Sequence, residues 1–156
     1  MEVYGRKAVF LDRDGTVIED RGHLKNPVDA VFYPFTFEAL RMLQKEFLLF
    51  IVSNQSGIAK KLITKEDVDK VNRRVLEILV ENGIRITEVY YCPHNREDNC
   101  ECIKPKPYFL NQAVEKHGID LSRSYVIGDH PHDVEFAENA GAKGIYVLTG
   151  HGEKHT

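Results

Sequence analysis

The chain has 156 residues, 42% of them hydrophobic, and its 24 acidic and 21 basic side chains leave a net charge of -3. That is enough apolar material for one core and too little for two ordinary domains, so residues 1–156 are expected to fold as a single domain. The basic residues are scattered, apolar runs such as Phe47 to Val52 fall far short of the ~20 residues of a membrane span, and no long apolar stretch opens the chain. These features argue against nucleic-acid and membrane partners and for a cytoplasmic monomer that holds a small anionic partner through local groups.

Short apolar runs alternate with amphipathic stretches, the pattern of an α/β parallel sheet wrapped by helices. Lys7 to Leu11 reads as a first strand. Phe37, Leu40, Leu43 and Phe47 repeat at helical spacing over Thr36 to Phe47, and Leu48 to Val52 reads as a second strand. Thr64 and Asp67 form a capping-box pattern ahead of Val68, Val71, Val75, Ile78 and Leu79, and Asn82-Gly83 closes that helix. Ile84 to Tyr91 is the third expected strand. Pro107 opens a helix that Gly118 stops, then come a strand at Tyr125 to Ile127, a helix at Pro131 to Asn139 and a last strand at Gly144 to Val147. In open parallel sheets ligands sit beyond the carboxyl ends of the strands, so the residues following each strand are the candidates for chemistry.

Four polar clusters occupy those positions. Asp12-Arg13-Asp14-Gly15-Thr16 places two carboxylates two residues apart, Asp12 as a strand-end nucleophile and Asp14 as the group that protonates a leaving oxygen and later deprotonates water. In isolation the motif reads better as a solvated turn. Ser53-Asn54-Gln55-Ser56-Gly57 offers a hydroxyl and a run of amides suited to phosphate oxygens, though alone it is an ordinary turn. Lys104 supplies a compact cation, and Gly128-Asp129-His130-Pro131-His132-Asp133 supplies carboxylates for Mg²⁺. It is their joint occurrence, in this order, that favours chemistry.

Together, Asp12 to Thr16, Ser53-Asn54, Lys104-Pro105 and Gly128-Asp129 through Asp133 resemble the four motifs of haloacid dehalogenase (HAD) phosphatases over nearly the whole chain. The stretch Ser53 to Ala59 with the cysteine loop is similar to the branch that holds heptose-bisphosphate and histidinol-phosphate phosphatases. The resemblance implies a three-layer Rossmann-like, doubly wound sheet and a Mg²⁺-dependent reaction through an aspartyl phosphate. It implies Asp12 as nucleophile, Asp14 as acid and base, and Ser53 and Lys104 on the phosphoryl group. Asp12, the Asp14 carbonyl and Asp129 are the implied Mg²⁺ ligands. Gly15 and Thr16 support the first motif, and Asn54 and Gln55 extend the phosphate cradle. Asp133 is expected to orient Lys104 or the metal's waters, or else to act as a first-turn acid of the Pro131 helix.

The odd cysteine count, all within Cys92 to Cys102, argues against a disulfide framework. Cys92, His94, Cys100 and Cys102 offer three thiolates and an imidazole, the set a tetrahedral structural Zn²⁺ takes, although their spacing is tighter than in common zinc fingers. The competing reading is surface cysteines in a polar loop. Against it, Asn95 to Asn99 lack apolar side chains, so something other than burial must order them. Four protein ligands would leave no open position, which makes the expected zinc structural, holding the loop that leads into Lys104.

His117 falls in the last turn of a helix, His130 could contact phosphate or face solvent, and His151 and His155 fall in a tail. Neither the first nor the second strand is followed by room for a cap domain, so the site is expected to be capless and open. Specificity then rests on loops, with Arg21 and His23 after the nucleophile, Lys60-Lys61 after the second strand, and the zinc loop. Ile103 and Tyr108 depart from the arginine and glycine common in the heptose branch, which removes a bidentate anion contact. A phosphorylated sugar is the first expected substrate. Another small ester, such as histidinol phosphate or a sugar-acid phosphate, is the second reading, and a catalytically silent zinc-stabilised module the third.

Overall fold

The computed structural model describes residues 5–150. Among them five parallel strands form one sheet: β1 (Ala8–Leu11), β2 (Leu48–Asn54), β3 (Glu88–Cys92), β4 (Tyr125–Gly128) and β5 (Lys143–Tyr146), in the order β3-β2-β1-β4-β5. The helices are α1 (Thr36–Leu43), α2 (Lys65–Glu81), α3 (Tyr108–His117) and α4 (Pro131–Ala140). His151 and His155 lie outside the described residues.

The two-residue period of β1 divides the interior. Ala8 and Phe10 enter one apolar cluster with Phe50, Leu110, Ala113, Phe136 and Ala137, so α3 and α4 cover that face. Val9 and Leu11 enter the other, with Leu40, Val71, Val75 and Leu79 from α1 and α2. Both faces of β1 are fully buried, which is why its sequence is apolar throughout instead of alternating. Phe10 and Phe50 stack at 4.8 Å between centroids on neighbouring strands. The result is the expected three-layer, doubly wound sheet.

Local signals account for most element ends. Thr64 Oγ1 accepts from Asp67 N at 3.0 Å while Asp67 Oδ2 accepts from Thr64 N at 2.9 Å, the reciprocal capping pattern at the start of α2. Gly118 ends α3 at φ 66°, in the left-handed region where glycine carries no Cβ penalty.

Several boundaries differ from expectation. The first strand starts at Ala8, one residue after Lys7, and ends at Leu11 as expected, with Asp12 the next residue. The α1 helix stops at Leu43, four residues before Phe47, because the Leu43 carbonyl is taken up by turn bonds from Glu46 and Phe47. The second strand runs on through Ser53 and Asn54, which pair with Tyr91 and Cys92 of β3. The third starts at Glu88, not Ile84, since Ile84 N turns back to Leu79 O at the end of α2.

The chain winds from β1 to β2 and β3 in one direction and places β4 and β5 in the other. The crevice where that direction reverses lies at the carboxyl ends of β1 and β4. The segments following β1 and β2 add a single 3₁₀ turn (Pro27–Asp29) and loops but no further domain, so the crevice stays uncapped.

Candidate active site

Asp12 follows β1 and Asp129 follows β4, with Asp12 N bonded to Ile127 O at 3.0 Å. Asp133 reaches the same corner from the first turn of α4, where its Oδ2 also accepts from His130 N at 3.3 Å. One Asp133 oxygen thus caps the helix and the other meets Lys104. The ligand oxygens of Asp12, Asp129 and Asp133 lie within 4.8 Å of one another.

Lys104 Nζ donates to Asp12 Oδ1 at 2.9 Å, Asp133 Oδ1 at 2.7 Å and Val52 O at 3.0 Å, using all three ammonium protons. Burial works to lower the Lys104 pKa, but the charges of Asp12 and Asp133 outweigh it and hold the ammonium above its ordinary value. Burial likewise raises the Asp12 carboxyl well above its usual range; Lys104 opposes that, while Asp133 and Asp129 add to it. Three buried or half-buried carboxylates thus face one ammonium, an excess of negative charge that fits a hard divalent cation with oxygen ligands.

Glycine makes this corner possible. Gly15 has φ 87°, and a Cβ there would collide with the Asp129 carboxylate; one at Gly150 would do the same. Thr149 Oγ1 donates to Gly15 O at 2.6 Å, so the segment after β5 folds back over the first motif. The sequence reading missed Thr149 and Gly150, for which no local pattern stands out. Thr16 Oγ1 is buried and has no hydrogen-bond partner among the described residues.

Asp14 is turned away from the carboxylate cluster. Arg13 Nε and Nη2 grip its two oxygens at 3.1 Å each, and Gln55 Nε2 donates to Oδ2 at 3.0 Å. Gln55 Nε2 also lies 3.2 Å from Ser53 Oγ. Asn54, expected to meet phosphate, lines the cleft, and its Oδ1 accepts from Lys104 N at 3.0 Å, which fixes the lysine backbone.

An open cleft of about 630 Å³ sits over these groups, lined by Asp12, Asp14, Asn54, Gln55, Lys104 and Asp129 on its floor and His23, Lys60, His130 and His132 higher up. Arg21 is not part of this lining: it is exposed and paired with Glu19 at 3.0 Å, having been proposed only for its nearness in sequence. Burial and the nearby Arg96 lower the His132 pKa. Ile103 is only 5% exposed and packs in the α3/α4-side core, away from the cleft lining.

The ligand atoms of Cys92, His94, Cys100 and Cys102 lie within 4.8 Å of one another, and no disulfide joins the cysteines. Sγ of Cys92 is 3.5 Å from Cys100, Sγ of Cys102 is 3.8 Å from Cys100 and 3.4 Å from His94 Nδ1, and the Cys92 and Cys102 sulfurs stand 2.7 Å apart. A Zn²⁺ with ~2.3 Å bonds spaces its sulfurs about 3.8 Å apart, so the donor set and the Cys100 spacings suit that ion, while the Cys92–Cys102 pair would have to spread to take it. The loop bears on the cleft from two sides: Cys92 O accepts from Gln55 N at 2.7 Å, and Cys102 is two residues from Lys104.

The HAD-hydrolase-like family matches residues 101–156. The D-glycero-beta-D-manno-heptose-1,7-bisphosphate 7-phosphatase of Haemophilus ducreyi is 39% identical over 94% of this chain and 85% of its own length. That of Helicobacter pylori (strain J99) is 38% identical over 92% of this chain and 83% of its own. The chain belongs to the HAD-like hydrolases. Among solved structures, the D,D-heptose 1,7-bisphosphate phosphatase of B. bronchiseptica, complexed with magnesium and phosphate, superposes with a TM-score of 0.88 at 29% identity, over 95% of this chain and 84% of that one. HAD phosphatases use Mg²⁺ and that neighbour holds magnesium; the Asp12, Asp129 and Asp133 oxygens of this chain form a group that could hold a metal ion.

Proposed function

We propose that residues 1–156 form one cytoplasmic phosphomonoester hydrolase domain that acts on D-glycero-D-manno-heptose 1,7-bisphosphate, releasing the 7-phosphate through an aspartyl phosphate on Asp12. The observation that carries this reading is the Asp12–Lys104–Asp133 network beside Asp129, a nucleophile held next to a buried cation and a divalent-cation site. The heptose substrate rests on the relatives at 38–39% identity. Ile103 lies in the core and supplies no group to the cleft, so the anion contact that an arginine makes in the branch is missing here and specificity falls to the other loops.

In this reading an Asp12 oxygen attacks phosphorus, the ester P–O bond breaks, and the sugar oxygen takes a proton from Asp14. Asp14 then deprotonates the water that hydrolyses the aspartyl phosphate. Ser53 holds a phosphoryl oxygen, Lys104 and Gln55 each turn a proton from a protein acceptor to the phosphoryl group as it enters, and Asn54 serves by fixing Lys104. Asp12, Asp129 and the Asp14 carbonyl, with Asp133 nearby, would hold Mg²⁺, which would supply charge neutralisation between carboxylate and phosphate dianion. Cys92, His94, Cys100 and Cys102 would hold Zn²⁺, which would order the approach to Lys104 and Gln55.

Phosphate release with Mg²⁺ from a panel of phosphorylated sugars and histidinol phosphate, with Asp12→Asn as control, tests the proposal. Preference for the heptose bisphosphate is expected, abolished in the control. Preference for another ester would overturn the substrate, and Asp12-independent release would overturn the mechanism.

A further inference from the structure

Arg13 stands between the two aspartates of the first motif, where a charged residue at a strand end ordinarily meets solvent. Instead it is 0% exposed and heads the largest fully buried side chains. Removing a guanidinium from water costs several kcal/mol unless its protons are paired in good geometry. Here the pairing is specific. Nε and Nη2 form a fork on Oδ1 and Oδ2 of Asp14 at 3.1 Å each, and Nη1 donates to Asn72 Oδ1 of α2 at 2.9 Å. Asn72 is itself a polar residue on the buried face of α2, among Val68, Val71 and Val75. Gln55 approaches the same carboxyl from the cleft, touching Oδ2 at 3.0 Å.

Resting on the phosphatase reading above, we infer that Arg13, anchored on Asn72, is a positioning residue that sets the plane and aim of the Asp14 carboxyl for proton transfer to the leaving oxygen. As the Asp12 oxygen bonds to phosphorus, the ester P–O bond breaks, its electron pair stays on the sugar oxygen, and the Asp14 proton moves to that oxygen. The Asp14 oxygen that carries the proton accepts its prong of the fork weakly, and that prong tightens as the proton leaves for the sugar oxygen. The Nη1 bond to Asn72 then keeps the guanidinium in place, and the carboxyl turns about a fixed partner. A lysine would offer one point charge, unable to grip both oxygens and reach Asn72 together. Orientation of this kind governs how much of a general acid's ~10²- to 10⁴-fold effect is realised.

A purely structural role, tying the end of β1 to α2, makes a different prediction. Nitrophenolate leaves without a proton, whereas a sugar alkoxide needs one, so leaving-group dependence separates the two. The full-length chain with Mg²⁺ is assayed as wild type, Arg13→Lys and Asn72→Leu on p-nitrophenyl phosphate and on the best sugar phosphate of the panel. Values of kcat/KM report steps through the first irreversible bond cleavage, and melting curves verify the fold. Arg13→Lys is expected to lower kcat/KM about 100-fold on the sugar phosphate and less than about threefold on the nitrophenyl ester; Asn72→Leu should follow with about a tenfold selective loss. Equal losses on both esters, or none on either, would overturn the role. If Arg13→Lys does not fold, the two Asn72→Leu values decide by the same criterion. Asp12→Asn, run on both esters, separates the two failures. Turnover surviving there overturns the phosphatase reading and the Arg13 role with it, while turnover lost there beside uniform losses in the Arg13 and Asn72 variants overturns the Arg13 role alone.

Discussion

The carboxylate corner and the Cys/His loop each gather metal-ligating side chains, yet they are held in different ways. Asp12 and Asp129 follow strands buried in both cores, and Asp133 and Lys104 are pinned by hydrogen bonds from backbone and side chain. The buried scaffold builds that corner. Residues 93–101 of the loop have only a 3₁₀ turn at Arg96–Asp98 and no buried side chain; Cys92 is buried in the core, and Cys100 and Cys102 pack partly against it. There an ion would add to the ordering of its ligands, and the loop in turn supports Gln55 and Lys104. The difference teaches that ligand identity alone does not separate a catalytic metal from a structural one; the surroundings of the ligands do.

The sharpest test of that contrast is selective metal removal. Dialysis against Mg²⁺-free buffer should bring phosphate release to background while the thermal midpoint moves by no more than about 2 °C, since the corner stands without the ion. A large drop in the midpoint would erase the distinction. Cys102→Ser should do the reverse, losing zinc by elemental analysis, lowering the midpoint by roughly 5–10 °C and reducing kcat/KM only about tenfold, through looser support of Lys104. An unchanged midpoint with zinc absent would show that the loop orders itself.

A smaller effect belongs to the outer edge of the sheet. Burial works to raise the Glu88 carboxyl pKa, but hydrogen bonds from Lys116, Tyr90 and His117 at 2.6, 2.6 and 2.8 Å outweigh it and pull it down to about 2. A carboxyl whose folded pKa lies below its unfolded one stabilises the fold above the unfolded value, and that contribution fades as pH falls from about 4.5 toward about 2. Thermal melts should therefore show wild type above Glu88→Gln at neutral pH, with the gap closing across that window. A constant gap would mean the cluster acts through packing alone.

Much of this was legible in the sequence because it depends on short-range pattern. Apolar runs marked every strand, and the Thr64/Asp67 cap and Gly118 fixed helix ends through local backbone chemistry. The Cys/His set was visible because its four ligands fall within eleven residues. What escaped depends on tertiary pairing. Arg13 reads as exposed until Asn72, 59 residues away, gives it a buried partner. The bond from the Lys104 backbone to the Asn54 side chain, 50 residues apart, has no trace in the local pattern around Ser53. Arg21 was carried into the site by sequence nearness, and Glu19 holds it outside. Thr149 and Gly150 reach Gly15 and Asp129 only through the path of the chain after β5.

The central claim is that Asp12 carries the phosphoryl group. Acid quenching during turnover of the best phosphorylated sugar, followed by mass spectrometry of proteolytic fragments, tests it directly. One phosphoryl group on the Asp12 side chain, absent in Asp12→Asn, is the predicted result; steady phosphate release with no adduct in wild type and undiminished release from Asp12→Asn would contradict it.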